Sequence, residues 1–195
     1  MTANPRPHNS ARSYIINNIN FYNMLPIYHK EIVLKITGLT NDRTTPYLKP
    51  IINIESTRNN YKTMIASIVS VVYEYMGIKT KYITNINQQN KVFDKYKELI
   101  IEDLKTKEIF KEPSGEVEVI ILDEIDCMSH NEFINHLSSI NSMNEGLAIC
   151  FSTPKKNTNS NTDSLKKIDN LVTNYVLPGS QTKIQQAIDS LINNI

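Results

Sequence analysis

From Ile51 to Ile192 the sequence alternates between short β-branched or apolar runs and longer stretches with helical spacing. This order constrains the fold most. Ile51 to Ile54 reads as a strand and Lys62 to Met76 as a helix ending near Gly77. Thr80 to Ile86 has strand spacing, and Gln89 to Lys107 is a long amphipathic helix. Val117 to Leu122 is a strand, Asn131 to Ile140 a helix and Leu147 to Ser152 a strand. Lys155 to Ser164 reads as a polar loop, Leu171 to Leu177 as a strand and Gln181 to Ile192 as a last helix. Strands that alternate with helices of this length imply βαβ crossovers and a parallel sheet. The run VEVIIL suits a central strand buried on both faces. Ligands of such sheets bind beyond the carboxyl ends of the strands. The chemistry is therefore expected just after Ile54, Leu122 and Phe151.

Upstream, Ile27 to Ile36 has apolar residues at helical spacing, with Gly38 at its end. Residues 1–24 read as an arm leading into a short helix, and 25–195 as one domain. A chain of 195 residues fits one sizeable core. A net charge of +1 excludes a histone-like protein held to nucleic acid mainly by charge. No apolar run approaches the ~20 residues that span a bilayer, and the N-terminus has no apolar signal segment. The asparagines, though many, form no Asn-x-Ser/Thr sequon, which agrees with an intracellular protein.

The clearest motif is Ile120-Ile121-Leu122-Asp123-Glu124-Ile125-Asp126, an apolar strand that ends in adjacent acids. In a P-loop ATPase the first acid orients Mg²⁺ and the second polarises the attacking water. The plain alternative is a strand ending in a solvated acidic turn. A partner motif is expected one or two strand–helix units earlier. In the register G-x-x-x-x-G-K-[ST] the chain reads Ser56-Thr57-Arg58-Asn59-Asn60-Tyr61-Lys62-Thr63. Lys62 and Thr63 stand where a strand gives way to a helix, so exposed amides and a cation would face phosphate. Ser56 and Tyr61 replace both glycines. Glycine serves there because the loop needs positive φ and close backbone approach. Tyr61 is therefore expected to strain or open the loop.

Together these motifs resemble the AAA+ ATPases of the replication-initiator branch, the origin recognition complex subunits and their helicase-loading relative. ILDEID is similar to that branch's Walker B motif. Leu25-Pro26-Ile27-Tyr28-His29-Lys30-Glu31-Ile32 is similar to its N-terminal Leu-Pro-x-Arg-Glu-x-Glu-Ile box, with Tyr28 and His29 in place of Arg-Glu. The resemblance implies a three-layer P-loop sandwich with a five-stranded parallel sheet, the AAA+ base subdomain. It implies ATP and Mg²⁺ as cofactors, with Asn60, Tyr61, Lys62, Thr63, Asp123 and Ser152 near the nucleotide. Thr63 and Asp123 would be on the metal side and Glu124 would be the catalytic acid. It implies other initiator subunits in a hetero-oligomeric ring, DNA reached mainly through that complex, no membrane and a nuclear location.

The departures carry equal weight. Phe151-Ser152-Thr153-Pro154 stands where the family's sensor residue is commonly Asn, so Ser152 or Thr153 would replace it only in part. The arginines are Arg6, Arg12, Arg43 and Arg58, so none follows the loop to serve as finger or sensor. An arginine finger is worth ~10³–10⁵ in rate. The sequence is read with one helix after its fifth strand, so the lid and winged helix that the family implies are not expected within these residues. Hydrolysis by the isolated chain is thus expected to be weak or absent. The alternatives are a scaffold that binds no nucleotide and an active ATPase of helicase-loader or clamp-loader type. Cys127 and Cys150 read as buried free thiols, and His130 and His136 lack partners at zinc spacing.

Overall fold

The computed structural model describes residues 9–38, 50–57, 61–109, 117–140, 143, 146–153, 160–168 and 170–177. Five strands form one parallel sheet: β1 (Ile51–Glu55), β2 (Lys79–Ile83), β3 (Val117–Asp123), β4 (Leu147–Ser152) and β5 (Val172–Val176). Their spatial order is β2-β3-β4-β1-β5. The helices are α1 (Asn9–Asn18), α2 (Asn20–Met24), α3 (Ile27–Ile36), α4 (Lys62–Tyr75), α5 (Asn87–Thr106), α6 (His130–Ile140) and α7 (Asn161–Lys166). A short 3-10 turn, Ile125–Cys127, follows β3.

Strand periodicity splits the core into two layers. Along β3, Val119 and Ile121 face one side while Ile120 and Leu122 face the other. The first side gathers Ile52, Ile54, Ile149 and Phe151 under α1 to α5. The second gathers Ile51, Ala148 and Cys150 with Phe133 of α6 and Leu165 of α7. Both β1 and β4 are buried throughout, as near-continuous apolar runs require in a covered parallel sheet. The edge strands, KTKYI and VTNYV, are more polar and more exposed, which disfavours pairing with other chains.

Helix α4 is buried almost all round, because it lies between the sheet and α5. Its polar Ser67 is satisfied locally, donating to Thr63 O at 2.9 Å and to Phe93 O at 3.2 Å. Gly77, at φ 84°, ends the helix in the left-handed region that a side chain disfavours. Helix α5 buries a single stripe of Phe93, Ile100 and Leu104.

The expected five-stranded parallel sheet, with β1 and β3 both internal, is the one observed. Two readings need correction. The stretch read as a polar loop up to Ser164 contains the start of α7. Ser160 accepts from the Asp163 amide at 3.1 Å while its own amide donates to the Asp163 carboxylate, a capping box that starts a helix. Cys127 is exposed on the 3-10 turn, because that turn leaves the sheet; Cys150 is buried within β4. Residues 1–24 were set apart as arm and short helix. Ile15, Ile16 and Ile19 are nonetheless fully buried in the same core as the sheet. The expected helix from Gln181 to Ile192, together with Asn60, lies outside the described residues.

Candidate functional site

The site lies where β1, β3 and β4 end and α4 begins. Tyr61 precedes α4 with φ 60° and ψ 8°, the left-handed conformation that glycine adopts without a Cβ penalty. For a residue with a Cβ this costs roughly 1–2 kcal/mol. Strain at this position, expected from the sequence, is therefore present in the backbone. The Tyr61 ring meets His29 edge-on, with centroids 5.4 Å apart. His29 belongs to the Leu25–Ile32 box and is buried with Leu25 and Ile32. The box thus packs against the end of the loop.

Lys62 is only 6% exposed. Its Nζ donates to Thr57 O at 3.2 Å and to Thr153 Oγ1 at 2.8 Å, and pairs with Glu124 Oε1 at 3.1 Å. Thr153 in turn donates to Glu124 Oε1 at 2.9 Å. One cation, one hydroxyl and one carboxylate therefore close a small ring at the start of α4. Glu124 has φ 52°, which turns the chain sharply out of β3 and aims its side chain back towards Lys62.

Asp123 is fully buried. Its Oδ1 accepts from the Glu124 amide at 2.9 Å. Its Oδ2 accepts from Thr63 Oγ1 at 3.2 Å and from the Tyr82 hydroxyl at 2.7 Å. Burial pushes the Asp123 carboxyl above its ordinary range, against the lowering effect of the Tyr82 hydrogen bond. Burial, and then the Asp123 charge, push the Tyr82 hydroxyl upward, so it stays a neutral donor.

The third acid, Asp126, serves the fold. It accepts from the Thr162 amide at 3.0 Å and the Thr162 hydroxyl at 2.7 Å. Asn161 donates to Ile125 O at 2.7 Å and to Met128 O at 3.1 Å. Helix α7 thereby pins the turn that carries Glu124.

Of the residues named from sequence, Tyr61, Lys62, Thr63, Asp123 and Glu124 come together here. Ser152 does not join them. Its Oγ is buried without a hydrogen-bond partner among the described residues, and the adjacent Thr153 makes the contacts to Lys62 and Glu124. Strand alternation explains this, since Ser152 shares its side of β4 with Ala148 and Cys150. Tyr82 was missed. Its signal was its place near the carboxyl end of β2, which becomes informative only once β2 is known to lie beside β3.

Lys62 at a helix start suits a phosphate group. The metal-side pair is less suited to Mg²⁺, because Asp123 Oδ2 already accepts from two donors, Thr63 and Tyr82.

The sheet order and the layered helices define an α/β fold of the AAA+ and P-loop core type. No protein-family model matches the chain, and no curated protein matches it. A solved structure of C. elegans PCH-2 is similar at 16% identity, with a TM-score of 0.37. The match covers 87% of this chain and 42% of that one, so the chain spans less than half the length of that structure. No described helix is long and apolar enough to cross a membrane.

Proposed function

We propose that this chain is a nucleotide-binding module of AAA+ type that holds ATP or ADP and turns it over slowly or not at all. The observation that carries the reading is the Lys62 ammonium, buried at the N-terminus of α4. A phosphate arriving there meets a cation and the positive end of a 14-residue helix. It competes with the Glu124 carboxylate for Lys62. Glu124 keeps the Thr153 hydroxyl when Lys62 turns to the phosphate, so the exchange strands no charge without a donor. Slow turnover follows from the arginines, none of which comes after Arg58 in the sequence.

The finer assignment is a subunit of a DNA replication initiator ring that acts in the nucleus and reaches DNA through its partners. It is supported by the ILDEID motif and by the Leu25–Ile32 box. Capture of the chain at replication origins by chromatin immunoprecipitation tests it; a signal no higher there than at control loci would contradict it.

Calorimetric titration of the full chain with ATP and ADP tests the nucleotide reading. Binding that is lost in Lys62→Ala, with the variant still folded by circular dichroism, supports it. No binding to the wild type at millimolar nucleotide would leave the non-binding scaffold as the answer. A steady-state phosphate-release assay should stay at background. Vigorous turnover, abolished by Glu124→Gln, would make the chain an active ATPase instead.

A further inference from the structure

The feature that the nucleotide reading leaves unexplained is the phenol on Asp123. An ionised carboxylate offers about four lone-pair positions, two on each oxygen. Thr63 and Tyr82 occupy both on Oδ2, and the Glu124 amide takes one on Oδ1. Asp123 is 0% exposed, so the remaining position does not open to solvent. With Oδ2 filled, Asp123 has no free position on the Thr63 side for a water carried by a metal ion.

Tyr82 is held where it is. Its ring stacks on Phe93, with centroids 3.8 Å apart and planes within 4° of parallel. Phe93 is buried on α5, and its carbonyl accepts from Ser67 of α4 at 3.2 Å. Below the ring, β2 is fixed to β3 by the pairing of Tyr82 with Ile121. Swinging the hydroxyl off Asp123 would break the stack as well as the hydrogen bond.

We propose that Tyr82 is a positioning residue that sets the metal requirement of this site: its hydroxyl fills the place on Asp123 that a metal-bound water would use, so the chain binds nucleotide phosphate through Lys62 without a divalent cation. The proposal rests on the nucleotide reading above, but its effect on bare metal binding does not. Among the described residues, charge on the phosphates is then met by Lys62 and the start of α4. Thr63 contributes its hydrogen bond to Asp123.

The test uses the full chain and Tyr82→Phe, which keeps the ring and its stack. ATP and ADP are titrated calorimetrically in Mg²⁺ and in EDTA. Mn²⁺ is titrated without nucleotide, with the free ion followed by electron paramagnetic resonance. The wild type should bind nucleotide equally, within about twofold, in both conditions. Tyr82→Phe should bind about tenfold tighter in Mg²⁺ than in EDTA, with the EDTA value unchanged. It should also bind Mn²⁺ alone several-fold tighter than the wild type. A purely structural hydrogen bond would shift the ligand-free melting curve and leave these metal readouts untouched. Strong Mg²⁺ dependence in the wild type, or metal readouts in Tyr82→Phe that match the wild type, would overturn the proposal. If neither protein binds nucleotide while Tyr82→Phe still gains Mn²⁺ affinity, the nucleotide reading fails and the role of Tyr82 stands.

Discussion

Asp123 and Glu124 are neighbours in sequence but are held in opposite ways. Asp123 accepts from Thr63, Tyr82 and the Glu124 amide, with no cation in direct contact among the described residues. Among the described residues, Glu124 faces one cation and one hydroxyl, both on a single oxygen. The first acid is built into the fold. The second is in a contact that an incoming anion is able to replace. Burial alone does not separate them, since both are less than a tenth exposed. What separates them is the kind of donor: fixed dipoles around Asp123, and a long side chain able to change partner beside Glu124.

If Asp123 is structural, removing it should have the largest effect. Asp123→Ala leaves the Thr63 and Tyr82 hydroxyls and the Glu124 amide without their acceptor. At the usual cost of a stranded buried donor, stability should fall by on the order of 4 kcal/mol. Urea denaturation measures this, and a loss below about 1 kcal/mol would show that water replaces the carboxylate.

Lys62→Ala comes next. It breaks a pair whose side chains are 5% and 10% exposed. Breaking such buried pairs costs roughly 3–5 kcal/mol, and the lower end is expected here because Thr153 still donates to Glu124. The same denaturation series reads it. A loss as large as that of Asp123→Ala would erase the contrast between the two acids.

A pH series sharpens the contrast further. The Asp123 carboxyl lies above its ordinary value in the folded chain, so the fold keeps this proton where the unfolded chain has released it. Its favourable contribution is complete below the unfolded value of about 3.9 and is lost as pH rises through the folded value. The stability of the wild type relative to Asp123→Asn should therefore decline from acid towards neutral pH. A flat difference would mean that the hydrogen bonds cancel the cost of burial.

Ser160→Ala should have the smallest effect on stability, about 1 kcal/mol from loss of the helix cap. It tests whether α7 supports the turn behind Glu124. Nucleotide affinity should weaken slightly along with it.

Much of the fold was legible in the sequence, and the missing part has a physical reason. Alternation and the VEVIIL run were enough for the parallel sheet, because strand period and burial are local properties. Lys62, Thr63, Asp123 and Glu124 were readable because each pair follows an apolar strand, where ligands of a parallel sheet are expected, although β4 lies between β1 and β3. Tyr82 was not, since it acts across strands and nothing in its own segment marks it. The choice between Ser152 and Thr153 turned on where β4 stops alternating, a single residue beyond what periodicity resolves. The capping box of α7 was visible as Ser160 to Asp163, but the polar composition of its surroundings concealed it.

The most direct measurement is the affinity of ATP for Glu124→Gln beside the wild type, by calorimetry in EDTA. If Glu124 holds Lys62 only until phosphate arrives, neutralising it should tighten binding by about tenfold, or ~1.4 kcal/mol. Affinity that is unchanged or weaker would contradict the exchange of Lys62 between Glu124 and phosphate.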